Sequence, residues 1–549
     1  MKLVTVEKMR SIEATSNAAG HSYDAMMERA GAAVAQVIQQ RLSIKGRRVL
    51  ALVGSGNNGG DGLVAAKLLR EAGAEVACYL LKARDDARVT AAKEAGAFIA
   101  ALPDDRGLRV LRRFSLGADV IIDALFGTGA RLPLPDPAQK LLNAVRGDLQ
   151  ARRSKTDNLT APAEPSPAPS ILVVAVDGPS GMDFDTGAID PAALPADLSV
   201  TFAYPKIGHT RFPAADSVGQ LVVADIGTDP TLAADVSLEL ADANVVRALL
   251  PSRPAGAHKG TFGKVMIVAG SIHYTGAPSL AAQAAYRSGA GLVTLAVPRP
   301  ILPIIAAGLT EATFLPLPDA MGVVTVDAVA ILSKSIEGYR AMLLGPGLTR
   351  EKEVAEFVDQ LLGGLAASKR LPIGFGAKPA PSESDRLNLP PLVVDADGLN
   401  ILSEMENWWK RLPESSVLTP HVGEMARLTG VSIDAIEADR IGAASKFAQQ
   451  WGHVVILKGA FSVVAAPEGR VVVMPFANSA LATAGSGDVL AGAIVGLRAQ
   501  GLAAFEAAVC GAYLHGLAGE LVRKEIGAAG VVAGDLVTRL PAALRLTGD

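Results

Sequence analysis

The stretch from Asn478 to Asp488, NSALATAGSGD, ends where an apolar helical run, VLAGAIVGLRAQG, begins. Ala484, Gly485, Ser486 and Gly487 make a tight turn of small residues at that helix start. Unpaired N–H groups and the positive end of a helix dipole bind negative charge there, including the charge that develops on a transferring phosphoryl group. Asp488 falls in the first turn, placed to take a proton from a hydroxyl that attacks phosphorus. Aspartate also favours helix starts for capping alone, so Asp488 has a second, purely structural reading. A second stretch, GSGNNGGDG from Gly54 to Gly62, shows a different chemistry. Gly54, Gly56 and Gly59 satisfy G-x-G-x-x-G, but an ordinary dinucleotide fold carries an acidic residue about 20 positions later. That region reads Tyr79, Leu80, Leu81, Lys82, so a dehydrogenase reading fails. Instead Asn57, Asn58 and Asp61 crowd the loop, and Asp123 and Asp177 stand at two further strand ends. Carboxylates and amides gathered in one crevice can orient a ligand, shuttle protons or hold a hard cation through oxygens. Taken singly, Asp123 or Asp177 could merely cap its loop.

Regular elements must bring these residues together. In the first half the strand-like runs RRVLALVG, AEVACYLL, ADVIIDALF, ILVVAVDG, LSVTFAY and LVVADIG alternate with helical stretches such as GLVAAKLLREAG and DPAQKLLNAVRG. Continuous Val/Ile/Leu runs separated by helices predict an α/β fold with a parallel sheet buried on both faces, whose strand-end loops converge on one crevice. Residues 23–40 read as a helix packed on that sheet. The second half repeats the style with GKVMIVAG, GLVTLAVP, AMLLGPG, PLVVDADG, SVLTPH and HVVILKG, without a fixed-period repeat. These runs deliver Asp395, Asp397 and Asn400, then His421 and Glu424, then Lys458, Gly459, Ala460, Phe461 and Ser462 to one sheet end. His421 also reads as a core or capping histidine. A chain of 549 residues exceeds what one core supports, so two domains are expected, 1–235 and 236–549. Residues 148–170 and 373–387, rich in Pro, Ala, Ser and charge, read as surface loops.

Composition narrows the function classes. Half the residues are apolar and 19% are charged, as in a globular protein with a large core. A net charge of -3 and 4% aromatics give no basis for nucleic-acid binding. Cys78 and Cys510 lie in apolar stretches and read as buried, reduced thiols. The first 20 residues lack a continuous apolar core, and no apolar run approaches about 18 residues, so neither a signal peptide nor a membrane span is expected. A cytoplasmic enzyme follows, and its Ala-rich apolar helices point to a homo-oligomer.

The motifs VGSGNNGGDG, DALFGTG, AVDGPSGMD and TFAYPKIG together make residues 5–230 resemble the NAD(P)H-hydrate epimerase domain. That family interconverts the R and S forms of NADH or NADPH hydrated at ring carbon C6. The resemblance implies a Rossmann-like three-layer αβα domain. It implies that Asn57, Asn58, Gly59, Gly60, Asp61, Gly127, Thr128, Gly129, Ala130, Arg131, Leu132, Pro133 and Asp177 contact the hydrate. It implies Asn58, Asp123 and Ser180 as potassium ligands, with Asp123 also a catalytic candidate. Lys206, in TFAYPKIG, receives no role. HKGTFG, TGAPSLAA, LLGPGL, DADGLN, LTPHVGEM and NSALATAGSGD make residues 245–545 resemble the ribokinase-like superfamily and, within it, the ADP-dependent NAD(P)H-hydrate dehydratases. That resemblance implies a ribokinase-like αβα domain. ADP, with magnesium, would lie on Lys458, Gly459, Ala460, Phe461, Ser462, Asn478, Ser479, Ala480, Leu481, Ala482, Thr483, Ala484, Gly485, Ser486 and Gly487. Ala277, Gly347, His421 and Asp488 would line the hydrate site, with Asp488 as the catalytic base. The fusion resembles the bacterial type, which uses ADP and yields AMP and phosphate. The partners implied are the two hydrates and ADP, with neither nucleic acid nor membrane. A vitamin-type small-molecule kinase with a non-catalytic N-terminal binding module is the alternative, because it shares Asp488 and its anion hole.

Overall fold

The computed structural model describes residues 1–153, 171–363 and 387–548. Most of the expected surface loops at 148–170 and 373–387 therefore lie outside the described residues. Residues 148–153 correct the expectation, because the helix Asp136–Arg153 runs through them. Its later turns still have something to pack on: Leu149 is buried, and the buried Asp148 carboxylate accepts a hydrogen bond from Ser115 Oγ.

The chain divides into two compact units, Lys2–Val236 and Ser237–Asp549, the second also taking Met1. The strands of the first are β1 (Arg48–Val53), β2 (Glu75–Leu80), β3 (Phe98–Ala101), β4 (Val120–Ala124), β5 (Leu172–Val176), β6 (Leu198–Phe202) and β7 (Gln220–Ala224). They form one sheet in the order β3-β2-β1-β4-β5-β6-β7, with every pair parallel. Side chains alternate across it. Val49, Ala51 and Val53 join the core under the helices Val6–Ala18, Tyr23–Arg41 and Asn57–Glu71. Leu50 and Leu52 join the core under Arg109–Ser115 and Asp136–Arg153. The result is a three-layer αβα unit. Its strand order reverses between β1 and β4, and in open α/β sheets that is where a crevice opens at the carboxyl ends. Strand β3 carries no sequence signal: it has four residues on the sheet edge, with Phe98 half exposed.

The second unit contains β8 (Leu238–Leu240), β9 (Lys264–Val268), β10 (Leu292–Pro298), β11 (Thr313–Leu317), β12 (Asp319–Ala320), β13 (Val323–Val324), β14 (Ala341–Leu344), β15 (Leu392–Val394), β16 (Val417–Leu418), β17 (Val454–Leu457), β18 (Val463–Ala465) and β19 (Val471–Val473). Its main sheet runs β11-β10-β9-β14-β15-β16-β17-β18-β19-β8, and β12 with β13 forms a separate hairpin. From β11 to β17 all pairs are parallel, but β17–β18 and β18–β19 are antiparallel. The uniformly parallel sheet expected from the apolar runs is corrected at that end. Strands of three residues joined by short turns suffice for an antiparallel meander, whereas a parallel crossover needs a dozen or more. Helices Gly276–Arg287, Ser486–Ala499, Ala504–Ile526 and Ala533–Gly548 pack over one face through Ala, Val, Leu and Ile side chains. Cys78 and Cys510 are buried and free, their thiols pushed up to about 12 by burial. Among the described residues no helix is long and apolar enough to cross a membrane.

Candidate functional site

In the first unit a cavity of about 680 Å³ opens at the β1–β4 reversal. Gly54 makes this possible. A Cβ there would lie 1.8 Å from the Leu125 carbonyl oxygen, so only glycine lets the β1 and β4 loops run side by side. The lining includes Asn57, Asn58, Asp61, Gly127, Thr128, Gly129, Ala130 and Asp177, drawn from the first turns of the helix Asn57–Glu71 after β1 and from the loops after β4 and β5. The remaining expected contacts sit elsewhere. Gly59 and Gly60 face their own fold: added Cβ atoms would lie 2.1 Å from the Gly54 carbonyl oxygen and 2.4 Å from Met27 Sδ. They let the helix Asn57–Glu71 pack closely rather than admit a ligand. Arg131, Leu132 and Pro133 continue the β4 loop beyond the lining.

Asp123 lies beneath the cavity rather than on it. It is fully buried, Ser180 Oγ donates to its Oδ1 at 2.5 Å, and Ser180 N donates to its Oδ2 at 2.8 Å. Ser180 Oγ in turn accepts from Phe126 N at 2.9 Å. Burial raises the Asp123 carboxyl above its usual range and its hydrogen bonds work against that rise. Asn58 presents Oδ1 to the Gly127 loop, and its Nδ2 is buried without a partner among the described residues.

Asp177 and Asp61 behave differently although both line the cavity. Lys206, 1% exposed, donates from Nζ to Asp177 Oδ1 at 2.6 Å and to Thr201 Oγ1 at 2.9 Å. Thr201 Oγ1 donates to the same Asp177 oxygen at 2.7 Å, and a His209 ring nitrogen lies 2.8 Å from the Asp177 carbonyl. Burial pushes the Asp177 carboxyl up, but the Lys206 charge and these donors outweigh it and hold the group below the usual range. Asp61 has no such counter-ion beside it. Burial, then the negative charges of Asp177 and Glu13, hold its carboxyl well above the usual range. Glu13 and Arg10 also line the cavity, from the helix Val6–Ala18, and Arg10 Nη2 donates to the Thr128 carbonyl at 2.9 Å. The sequence left both unnoticed: a charged residue on an N-terminal helix carries no mark of which face turns inward.

In the second unit Asp488 occupies the first turn of Ser486–Ala499, behind Gly485 in a left-handed conformation. Among the described residues its carboxylate makes no hydrogen bond, so the capping role is not the one it plays. Burial and the negative charge of Asp395 push it up to about 7, and the nearby Lys458 charge works against them. Lys458 Nζ bonds Asp395 Oδ1 at 2.6 Å and stands 3.7 Å from Glu424 Oε2. Thr419 Oγ1 also donates to Asp395 Oδ1, at 2.7 Å. A Cβ on Gly487 would lie 3.4 Å from Lys458 Nζ and 3.6 Å from Asp395 Oδ2, so the turn before Asp488 and this ion cluster adjoin. Glu424 is buried and pushed up to about 7, chiefly by burial, with Lys458 opposing.

His421 does cap a helix. Its Nδ1 accepts from Gly423 N at 3.0 Å and from Glu424 N at 3.3 Å, while Glu424 Oε2 accepts from His421 N at 2.7 Å. Burial, then the Lys458 charge, lowers its pKa, so the ring is neutral and its outer nitrogen is a donor. Gly347 and Ala277 meet: a Cβ on Gly347, whose φ is +66°, would lie 3.1 Å from Ala277 Cβ. The nucleotide segments are tied down individually. Gly459 N donates to Ser462 Oγ at 3.1 Å, and Ser462 Oγ donates to the Gly459 carbonyl at 2.8 Å. Asn478 Oδ1 accepts from Ala480 N at 2.9 Å, leaving its Nδ2 buried and unpartnered among the described residues. Ala480 and Leu481 turn their side chains into the core, so any contact from them to a ligand is through backbone.

A family profile described as NAD(P)H-hydrate dehydratase matches residues 265–368 and 373–542. A profile described as the N-terminus of YjeF-related proteins matches residues 23–208. The bifunctional NAD(P)H-hydrate repair enzyme Nnr of Moorella thermoacetica is 38% identical over 95% of this chain and 92% of its own length. The protein of the same name from Escherichia coli K12 is 33% identical over 94% and 88%. Among solved structures, the ADP/ATP-dependent NAD(P)H-hydrate dehydratase of Bacillus subtilis, co-crystallised with ATP and Mg²⁺, is 30% identical, covers 56% of this chain and 98% of its own, and has a TM-score of 0.45.

Proposed function

The chain belongs to the bifunctional NAD(P)H-hydrate repair enzymes, and we propose that its two units divide the repair: the first interconverts the R and S hydrates, and the second dehydrates the S form. The observation that carries the second half of this reading is Asp488, an unpartnered carboxylate pushed up to about 7 beside a helix start. Such a group is ionised enough near neutral pH to accept a proton and basic enough to be useful. Asp488 takes the proton of the C6 hydroxyl, whose oxygen attacks the terminal phosphorus of ADP, and AMP leaves. Backbone N–H groups of the Ala484–Gly487 turn stabilise the charge on the transferring phosphoryl group. The ring-nitrogen lone pair then expels phosphate, and loss of a C5 proton restores the dihydropyridine. His421, Ala277 and Gly347 shape the hydrate pocket, while Lys458–Ser462 and Asn478–Gly487 embrace the nucleotide.

Cations fit both units, in different ways. Asp123, Ser180 and Asn58 supply hard oxygens from three loops, and the buried Asp123 carboxylate has only neutral donors bonded to it. Those residues would hold potassium, which when bound would offset that charge and tie the loops of β1, β4 and β5 together. Magnesium fits as the companion of the nucleotide phosphates. Among the described residues no cluster of three or more acidic, histidine or cysteine side chains forms a metal cage, and Asp395 is engaged by Lys458 and Thr419. The test is direct. Purified protein is mixed with hydrated NADH, ADP and magnesium, and absorbance at 340 nm and released phosphate are followed. Recovery of absorbance with one phosphate per cofactor is expected. A stable phosphoester without recovery would make the second unit a kinase.

A further inference from the structure

The cavity of the first unit holds two carboxyl groups in opposed states. We propose that Asp61 and Asp177 are the proton donor and proton acceptor of hydrate epimerisation, and that Lys206 is the positioning residue that keeps Asp177 in the accepting role. This deepens the epimerase reading and rests on it.

The placement comes from the sheet. The helix bearing Asp61 follows β1, Asp177 follows β5, and β1 and β5 flank β4 on opposite sides. The two side chains therefore reach one cavity from opposite flanks, as a reaction at both faces of one carbon requires. Their hydrogen bonding differs completely. Both side-chain donors to Asp177, Lys206 Nζ and Thr201 Oγ1, engage Oδ1. Oδ2 is left to take a proton. Asp61 is 8% exposed and its carboxyl makes no hydrogen bond among the described residues, yet it borders the cavity. A carboxyl buried to that degree without a partner is costly unless it stays protonated or meets a ligand. Besides Lys206, Glu13 and Arg88 act on Asp61 and His209 acts on Asp177, and among the described residues none of the three has a side chain hydrogen-bonded to either carboxyl group. A pair of carboxyls whose surroundings drive them apart is the arrangement by which one site runs acid and base chemistry together.

The step balances. Asp61 gives its proton to the C6 hydroxyl, the C6–O bond breaks, water departs, and the ring-nitrogen pair forms the N1=C6 iminium. A water molecule adds to the opposite face, forming the new C6–O bond. Asp177 Oδ2 takes its proton and the N1=C6 pair returns to nitrogen. One proton has passed from Asp61 to Asp177, and solvent in the cavity restores both. The reverse epimerisation retraces these steps from the Asp177 acid and the Asp61 carboxylate, a state that the Lys206 bond disfavours.

The test uses the full chain without ADP, so that epimerisation is seen alone. The R hydrate left after the S form has been consumed is the substrate, and both epimers are resolved chromatographically. Asp61→Asn should lower kcat at least a hundredfold with KM within about threefold, and Asp61→Glu, which keeps the proton, should recover at least tenfold of that loss. Asp177→Asn should also lose kcat. Chemical denaturation of the same preparations reports that the first unit is folded, and dehydration of the S hydrate with ADP added reports that the second is intact. A folded Asp61→Asn protein with near-normal kcat, or with the loss wholly in KM, overturns the proposal and leaves Asp61 a binding group. Equal losses in Asp61→Asn and Asp61→Glu overturn it too, because a structural role is then sufficient. Failure of the unsubstituted protein to epimerise would overturn the epimerase reading itself.

Discussion

Each unit sets a lysine among carboxylates, and the two lysines are satisfied differently. Lys206 is saturated: its ammonium bonds Asp177, Thr201 and the Phe202 carbonyl, so every donor has a partner inside the fold, while its charge also reaches Asp61 and Glu13. Lys458 is outnumbered. It bonds Asp395, stands 3.7 Å from Glu424 and exerts its charge on Asp488, so one cation faces three carboxylates. In the first unit the direct Lys206 bond locks one acid in its ionised form. In the second, burial pushes Asp488 and Glu424 both up to about 7, and the single Lys458 charge does not offset it. A site with that surplus of negative charge suits a nucleotide that arrives with its own cation. A site whose lysine is fully bonded to one acid and leaves another unpartnered suits an uncharged ring and proton transfer.

The contrast can be broken most severely at Asp488. Asp488→Asn should cost dehydration about 10²–10⁴-fold, the usual contribution of a positioned base, with epimerisation and melting temperature unchanged. Near-normal turnover would remove the base from the mechanism. Lys206→Met leaves Asp177 without its buried counter-charge and should destabilise the first unit by about 3–5 kcal/mol, read by chemical denaturation of the full chain. A negligible loss would mean that the Lys206 bond is not what holds Asp177. Asp123→Ala should abolish any stimulation of epimerisation by potassium and slow it about tenfold or more, with S-hydrate dehydration intact. An unchanged potassium response would place the cation elsewhere.

The pH dependence sharpens the comparison. Asp488 must be ionised to act, and burial with Asp395 has pushed it up to about 7. Dehydration kcat/KM should therefore fall as pH drops through about 7. Lys458 opposes that rise, so Lys458→Met should move the acid limb upward by about one unit, roughly 1.4 kcal/mol. A downward shift would reverse the assigned electrostatics. The smallest effect is expected at His421. His421→Ala removes a helix cap, worth about 1 kcal/mol, and should also raise KM for the S hydrate. Loss of stability with KM untouched would leave His421 a cap alone.

Much of this molecule is visible in residue order. Continuous apolar runs such as VLALV and VVAV mark strands buried on both faces, because only a sheet covered by helices on both sides tolerates them. The helix start and the loop after those runs hold Asn57, Asn58, Asp61 and Asp177, because parallel strands send their carboxyl ends to one edge. Short pieces escape that logic. Strand β18 is three residues, and its antiparallel pairing is set by its neighbours rather than by its composition. Glu13 and Arg10 escape it as well, since the cavity wall they form depends on where their helix docks.

Residue order by itself determined which side chains stand at strand ends and which turns are small enough to receive an anion, since both follow from local periodicity and side-chain size. Only the tertiary structure decided the state of each carboxyl. Asp61, Asp123, Asp177 and Asp488 are the same residue, each at a strand end or in the first turns of a helix. One is unpartnered, one is sealed under neutral donors, one is held by Lys206, and one faces an outnumbered Lys458. The free energy of an ionised group depends on its burial and on the charges within a few ångströms, and residues distant in sequence supply both.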